Sequence, residues 1–225
     1  MKPKFSPAPL LAEYIGSAIL MIAAIAPIVL FVSVFESDIS VALFANAVAV
    51  AFVLSALIEM LGPISGAHFN PMVSVIMALE KRITARRAAL YIPVQIAGGI
   101  TGTVLIHLMF YEVSGGLLFI SDIKRNNYVF ASEIICAFIL VFAFLVLARV
   151  KSNKTSIIIG LLVGGLIIST SSFMFANPQV TIARIFTNSA AGIRPADAFV
   201  FIIMQFIGAF LAYGVFKLFF KNLRN

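Results

Sequence analysis

Two asparagine–proline pairs stand out in an otherwise apolar chain, in "SGAHFNPMVS" (65–74) and "FMFANPQVTI" (173–182). Asparagine is a favoured helix N-cap, and proline at the first helical position gives up an N–H that would be orphaned anyway. The pattern predicts a short helix starting at each pair, "NPMVSVIMAL" and "NPQVTIARIF". Two such N-termini facing each other across a narrow path repel cations with their positive dipole ends, while the amides of Asn70 and Asn177 donate to a neutral oxygen. This is the chemistry of selective passage. No nucleophile and base, phosphate loop or carboxylate pair stands out, so no enzyme is expected. His68 and His107 lie 39 positions apart with no thiolate or carboxylate set at ligand spacing, so neither a metal site nor a cofactor is expected.

Membrane helices are expected to hold these pairs. The chain has 225 residues, 62% hydrophobic and 11% charged, and a mean hydropathy of +1.10, values that exclude an ordinary soluble domain. Apolar stretches of the ~20 residues needed to cross ~30 Å of hydrocarbon recur along its length. An all-α integral membrane protein is expected, forming one domain over residues 1–225. Glu13 interrupts the first apolar run and no cleavage site follows, so that run is read as a retained helix rather than a signal peptide. The single cysteine, Cys136, excludes a disulfide within the chain.

The net charge of +7 marks topology, not nucleic-acid binding. Twelve of the sixteen basic residues fall in four clusters: Lys2 and Lys4; Lys81, Arg82, Arg86 and Arg87; Arg149, Lys151 and Lys154; Lys217, Lys221 and Arg224. The positive-inside rule puts these clusters and both termini in the cytoplasm. Spans are expected near 8–33, 40–61, 88–110, 128–150, 155–171 and 197–220. Residues 62–80 and 172–190 are left over, each too short to cross.

An internal repeat arranges the two leftovers. "AEYIGSAIL" from Ala12 returns as "SEIICAFIL" from Ser132, "NPMVSV" as "NPQVTI", and Gln95-x-x-Gly98 as Gln205-x-x-Gly208, in the same order. With three spans per half, the second copy enters from the opposite side, which makes these inverted repeats, about 8–110 and 128–220. Irregular backbone is tolerated at membrane depth only where it is buried or lines a cavity, so the two Asn-Pro segments are expected to meet near the midplane.

These features resemble the aquaporin and aquaglyceroporin family, the major intrinsic proteins. The resemblance rests on "AEYIGSAIL", "GPISGAHFNP", "VQIAGGITG", Glu133 and the second box at Asn177. It implies six transmembrane helices and two re-entrant half-helices around one pore per protomer, a homotetramer in a lipid bilayer, and passive flow of small neutral solutes. A bacterial inner (plasma) membrane is the expected location. The resemblance also implies that Glu13 and Glu133 accept hydrogen bonds from the re-entrant backbones and that Asn70 and Asn177 are paired midplane donors.

Two departures set this sequence apart. The third box residue, usually alanine, is Met72 in one box and Gln179 in the other, which is expected to alter the midplane. The residue after the second box, normally an arginine of the outer constriction, is Val180. Its companions by ungapped counting are Val50 and Met174, with a fifth-helix residue between Gly165 and Ile167. This filter is expected to carry no charge and to favour glycerol, urea or neutral metalloid hydroxides such as arsenous acid over water. Arg184 is expected only approximately on the face of Asn177 and in the cytoplasmic half of the pore. His68 is read as a loop brace and His107 as a span-end residue. Glu59, read near the outer end of the second span, is either a vestibule group or an interface residue. A proton-coupled inverted-repeat transporter, with Glu13 and Glu133 carrying protons, is the alternative.

Overall fold

Helix signals in the sequence account for most of the elements. In this computed structural model, which describes residues 6–221, α1 (Ala8–Ile28) begins after Pro7 and runs on through a π-helical turn, Val29–Val34. Helix α2 (Ile39–Ser65) is capped by Asp38, which accepts from the Ser40 N–H at 2.8 Å, and ends at Gly66, whose φ of 94° is the left-handed stop that glycine adopts without strain. The half-helix α3 (Pro71–Leu79) is followed by α4 (Ala85–Met109), capped by Thr84, and the single turn α5 (Tyr111–Ser114). The second half contains α6 (Tyr128–Arg149), α7 (Thr155–Ser169), the half-helix α8 (Pro178–Ala183) with a 3-10 turn over Arg184–Phe186, and α9 (Pro195–Lys221). Lys2, Lys4 and Arg224, which the charge argument used, lie outside the described residues.

The packing repeats between the halves. Helix α1 lies against α4 and α2, as α6 lies against α9 and α7, and α2 against α7 joins the halves. Helix α3 also packs against α9, and α8 against α4, so each half-helix touches the third helix of the other half. This is the inverted-repeat arrangement of six spans and two half-helices. Five of the spans, counting the π-helical turn with α1, are long and apolar enough to cross a membrane. Helix α7, with 15 residues, is shorter, rising only ~22 Å against ~30 Å of hydrocarbon. The expected span of 155–171 ends early because Thr170 turns extended and leads into the re-entrant loop.

Close backbone approach holds the spans together. A side chain at Gly98 or Gly102 would strike the carbonyls of Tyr14 or Ala18 on α1, and one at Gly208 the carbonyl of Ile134 on α6. Gly160 and Gly164 lie likewise over the Ala51 and Ala47 carbonyls of α2. Such contact replaces the hydrophobic force that lipid cannot supply between helices. Large apolar residues such as Phe52, Leu108, Leu161 and Leu218 point outward, as a lipid-facing surface requires.

Candidate functional site

The site is built on strained backbone. Ahead of the first box, Ala67 and Phe69 have φ of 50° and 46°; ahead of the second, Met174 and Ala176 have 45° and 37°. Left-handed residues at matching positions, none of them glycine, persist only where the surroundings fix them. A buried glutamate does so on each side. Glu13 accepts from the His68 and Phe69 N–H groups at 3.0 and 2.7 Å, and Glu133 from those of Phe175 and Ala176 at 3.0 and 2.8 Å.

Two glutamines complete the pattern, a role that their sequence alone does not assign. Gln95 Nε2 donates to Glu13 at 2.8 Å and to Ser74 Oγ at 2.9 Å; Gln205 Nε2 donates to Glu133 at 2.6 Å and to Thr181 Oγ1 at 2.9 Å. Each glutamine thus ties a glutamate to the half-helix that follows its loop. Both glutamines were visible as repeat markers, and their shared register was the available signal for this role. Both glutamates are fully buried with several donors, the condition under which an intramembrane carboxylate is tolerated. His68 lines the cavity described below, and its Nδ1 lies 3.0 Å from Ser74 Oγ with the ring edge-on to Tyr91.

The boxes then meet. Asn70 caps α3 by accepting from the Met72 N–H at 3.0 Å, and Asn177 caps α8 by accepting from that of Gln179 at 3.1 Å. Their amides cross over: Asn70 Nδ2 donates to the Ala176 carbonyl at 2.9 Å, and Asn177 Nδ2 to that of Phe69 at 2.8 Å. A side-chain amide has two N–H groups, so each asparagine keeps one free.

Both asparagines line a narrow cavity of about 60 Å³, room for a few water-sized groups. Val50, Met174 and Val180, the expected outer-filter residues, all line it. From the range Gly165 to Ile167, it is Ile167 that does so. Met72 and Gln179 are not among its lining residues. Met72 is fully buried in the core, and Gln179 lies against Gly99 of α4, where any side chain would collide with it. Adjacency to asparagine in the sequence does not put a side chain in the cavity, because each helical step turns it by about 100°.

Two residues lie at the opposite end from their expected places. Arg184 lies at the end of the bundle away from the basic clusters, where Phe119 and Ser121 N–H groups pair with the carbonyls of Phe186 and Ile185. The reason is that α8 returns toward the face its loop entered from. Arg184 also lines the cavity, so the lining is not free of charge. Glu59 lies at the end that carries the basic clusters, exposed, and accepts from Ser156 Oγ at 2.6 Å. His107 is buried, its Nδ1 2.7 Å from the Leu117 carbonyl and its Nε2 2.9 Å from Thr187 Oγ1, joining the end of α4 to two loops.

Residues 2–176 match the model of the family described as major intrinsic protein. The chain belongs to that family. Within it, the chain is 37% identical over 210 residues to "Aquaglyceroporin AqpS" of Rhizobium meliloti (strain 1021), covering 92% of this chain and 87% of that protein. It is 29% identical over 163 residues to "Probable aquaporin NIP4-2" of Arabidopsis thaliana, covering 69% of this chain and 56% of that one. The X-ray structure of the aquaglyceroporin from Plasmodium falciparum superposes with a TM-score of 0.67 at 19% identity, covering 95% of this chain and 94% of the other. This major intrinsic protein is therefore an integral membrane channel for passive flow of small uncharged solutes. The proton-coupled alternative is not favoured, and the geometry gives a reason: both glutamates already hold loop amides.

Proposed function

We propose that this channel passes small neutral solutes larger than water, with glycerol, urea and neutral metalloid hydroxides as candidates. The observation that carries this reading is the lining of the cavity beside the asparagine pair: Val50, Ile167, Met174 and Val180 are all apolar. Water gives up hydration partners against such walls, whereas a solute with C–H groups on one edge and oxygens on the other is matched by apolar walls and a few fixed donors. The name of the Rhizobium relative supports glycerol for that protein, and its similarity along most of both chains supports the same class here. Asn70 and Asn177 are proposed as the midplane donors, and Glu13, Glu133 and His68 as the braces that hold the loops.

The family resemblance supports a homotetramer of one-pore protomers in a lipid bilayer. The basic clusters support a plasma-membrane orientation with the Lys81 to Arg87 and Arg149 to Lys154 loops in the cytoplasm, and the bacterial relative supports a bacterial inner membrane. The basic clusters are read as topology, and no nucleic-acid partner is proposed. Stopped-flow light scattering on proteoliposomes, with water, glycerol and urea gradients and an arsenite uptake arm, tests the solute preference. Fast glycerol or arsenite beside slow water supports it; fast water with no other flux overturns it.

A further inference from the structure

We propose that Arg184 supplies the fixed positive charge and hydrogen-bond donors of this channel's outer constriction, anchored by a break in α1. The inference rests on the channel reading and adds a selectivity residue that sits one helical turn beyond Val180. Residues four apart share a helix face, and both Val180 and Arg184 line the cavity.

The anchor begins with Pro27 inside α1. Proline has no N–H to offer the carbonyl four residues back, so Ala23 loses its helical donor, and beyond Ile28 the helix loosens into the π-helical turn. Asn46 of α2 fills the gap, its Nδ2 donating to the Ala23 and Ala24 carbonyls, both at 3.0 Å. Arg184 Nη2 donates to the same Ala24 carbonyl at 2.8 Å, and Nη1 to the Ala191 carbonyl at 3.4 Å. The guanidinium carbon lies 4.2 Å from the centre of the Phe175 ring, whose backbone N–H is held by Glu133. Arg125 fixes the other side, donating to the Ala190 carbonyl at 3.2 Å and to that of Gly192, so the loop that receives Nη1 is itself tied down.

These contacts hold the guanidinium without neutralising it. Arg184 is only 7% exposed, yet among the described residues no carboxylate lies within ion-pair distance, and its Nε has no hydrogen-bond partner. Carbonyl dipoles and a ring face replace its water, and its net charge stays on the cavity. In a low-dielectric wall an unpaired charge is screened less than in water and repels a passing cation more strongly. It costs a neutral solute nothing, because unused N–H groups can still donate to an oxygen. The planar fork that binds two carbonyls and a ring at once is a geometry lysine cannot copy.

The test uses the full-length protein in proteoliposomes, with glycerol flux read by light scattering and proton leak by a trapped pH-sensitive dye. Arg184→Met is expected to conduct glycerol and to leak protons about tenfold faster, the change that ~1.4 kcal/mol at the barrier produces. Adding Val180→Arg to that variant is expected to return the leak towards the wild-type level. Wild-type leak in an Arg184→Met channel that still conducts glycerol overturns the proposal. Should Arg184→Met fail to insert, Arg184→Gln reads the same device, since it keeps a side-chain donor and removes the charge: the leak is expected to rise, and an unchanged leak in a channel that conducts glycerol overturns the proposal. A wild-type channel that conducts no solute defeats the channel reading instead, so the two failures are distinguishable.

Discussion

At the scale of single residues, the re-entrant loops depend on two buried carboxylates, each of which accepts from two loop backbone N–H groups. Replacing Glu133 by Gln keeps the shape but turns one oxygen into an N–H facing backbone donors, leaving at least one N–H at Phe175 or Ala176 unpaired. The expected cost is ~1–3 kcal/mol for each orphaned group, read as a lower melting temperature in detergent and faster proteolysis of the 170–177 loop. Glu13→Gln is expected to do the same to the first loop. An unchanged melting temperature for both variants would show that the carboxylates do not brace. Val180→Arg brings a second guanidinium into the chamber Arg184 lines, and glycerol flux is expected to fall while water flux is maintained or rises. Unchanged permeability to both solutes would remove position 180 from the constriction.

At the scale of elements, helix separation is set by glycine. Gly98→Leu on α4 forces a side chain into the Tyr14 carbonyl of α1. Overpacking costs ~1–3 kcal/mol where neighbours can yield, and here the neighbour is backbone. A sharp loss of folded protein is expected by fluorescence size-exclusion, whereas Gly62→Leu, which has open space around it, is expected to express normally. Equal yields for the two variants would contradict this account of the packing. The same scale explains what the sequence could and could not reveal. Helix starts at Asn70 and Asn177 were legible because capping is local chemistry, and the inverted repeat was legible because Glu13, Gln95 and their partners keep their order. The place of Arg184 was not, since it depends on the direction α8 takes, on 3-10 winding after Ala183, and on a proline that opens a different helix. The burial of Met72 and Gln179 was hidden for a related reason: their facing is fixed by α4 and the core, not by the asparagine beside them. Glu59 was misplaced along its helix, though its side was readable from the direction in which α2 runs.

At the scale of the whole molecule, charge, packing and path fit one another. Basic residues gather at one end of the bundle, apolar residues cover its flanks, and the two boxes meet inside it. If the orientation follows the basic clusters, Asn153→Cys is expected to react with a membrane-impermeant maleimide only in inside-out vesicles and Asn126→Cys only in right-side-out ones. The opposite pattern would reverse the topology. Passive flow through a preformed path is tested by glycerol flux into proteoliposomes, followed by stopped-flow light scattering with and without a protonophore. Flux well above that of empty liposomes, unchanged when the proton gradient is collapsed, is expected. Flux that vanishes with the gradient would make Glu13 and Glu133 proton carriers and contradict the claim, as would flux no faster than that of lipid alone.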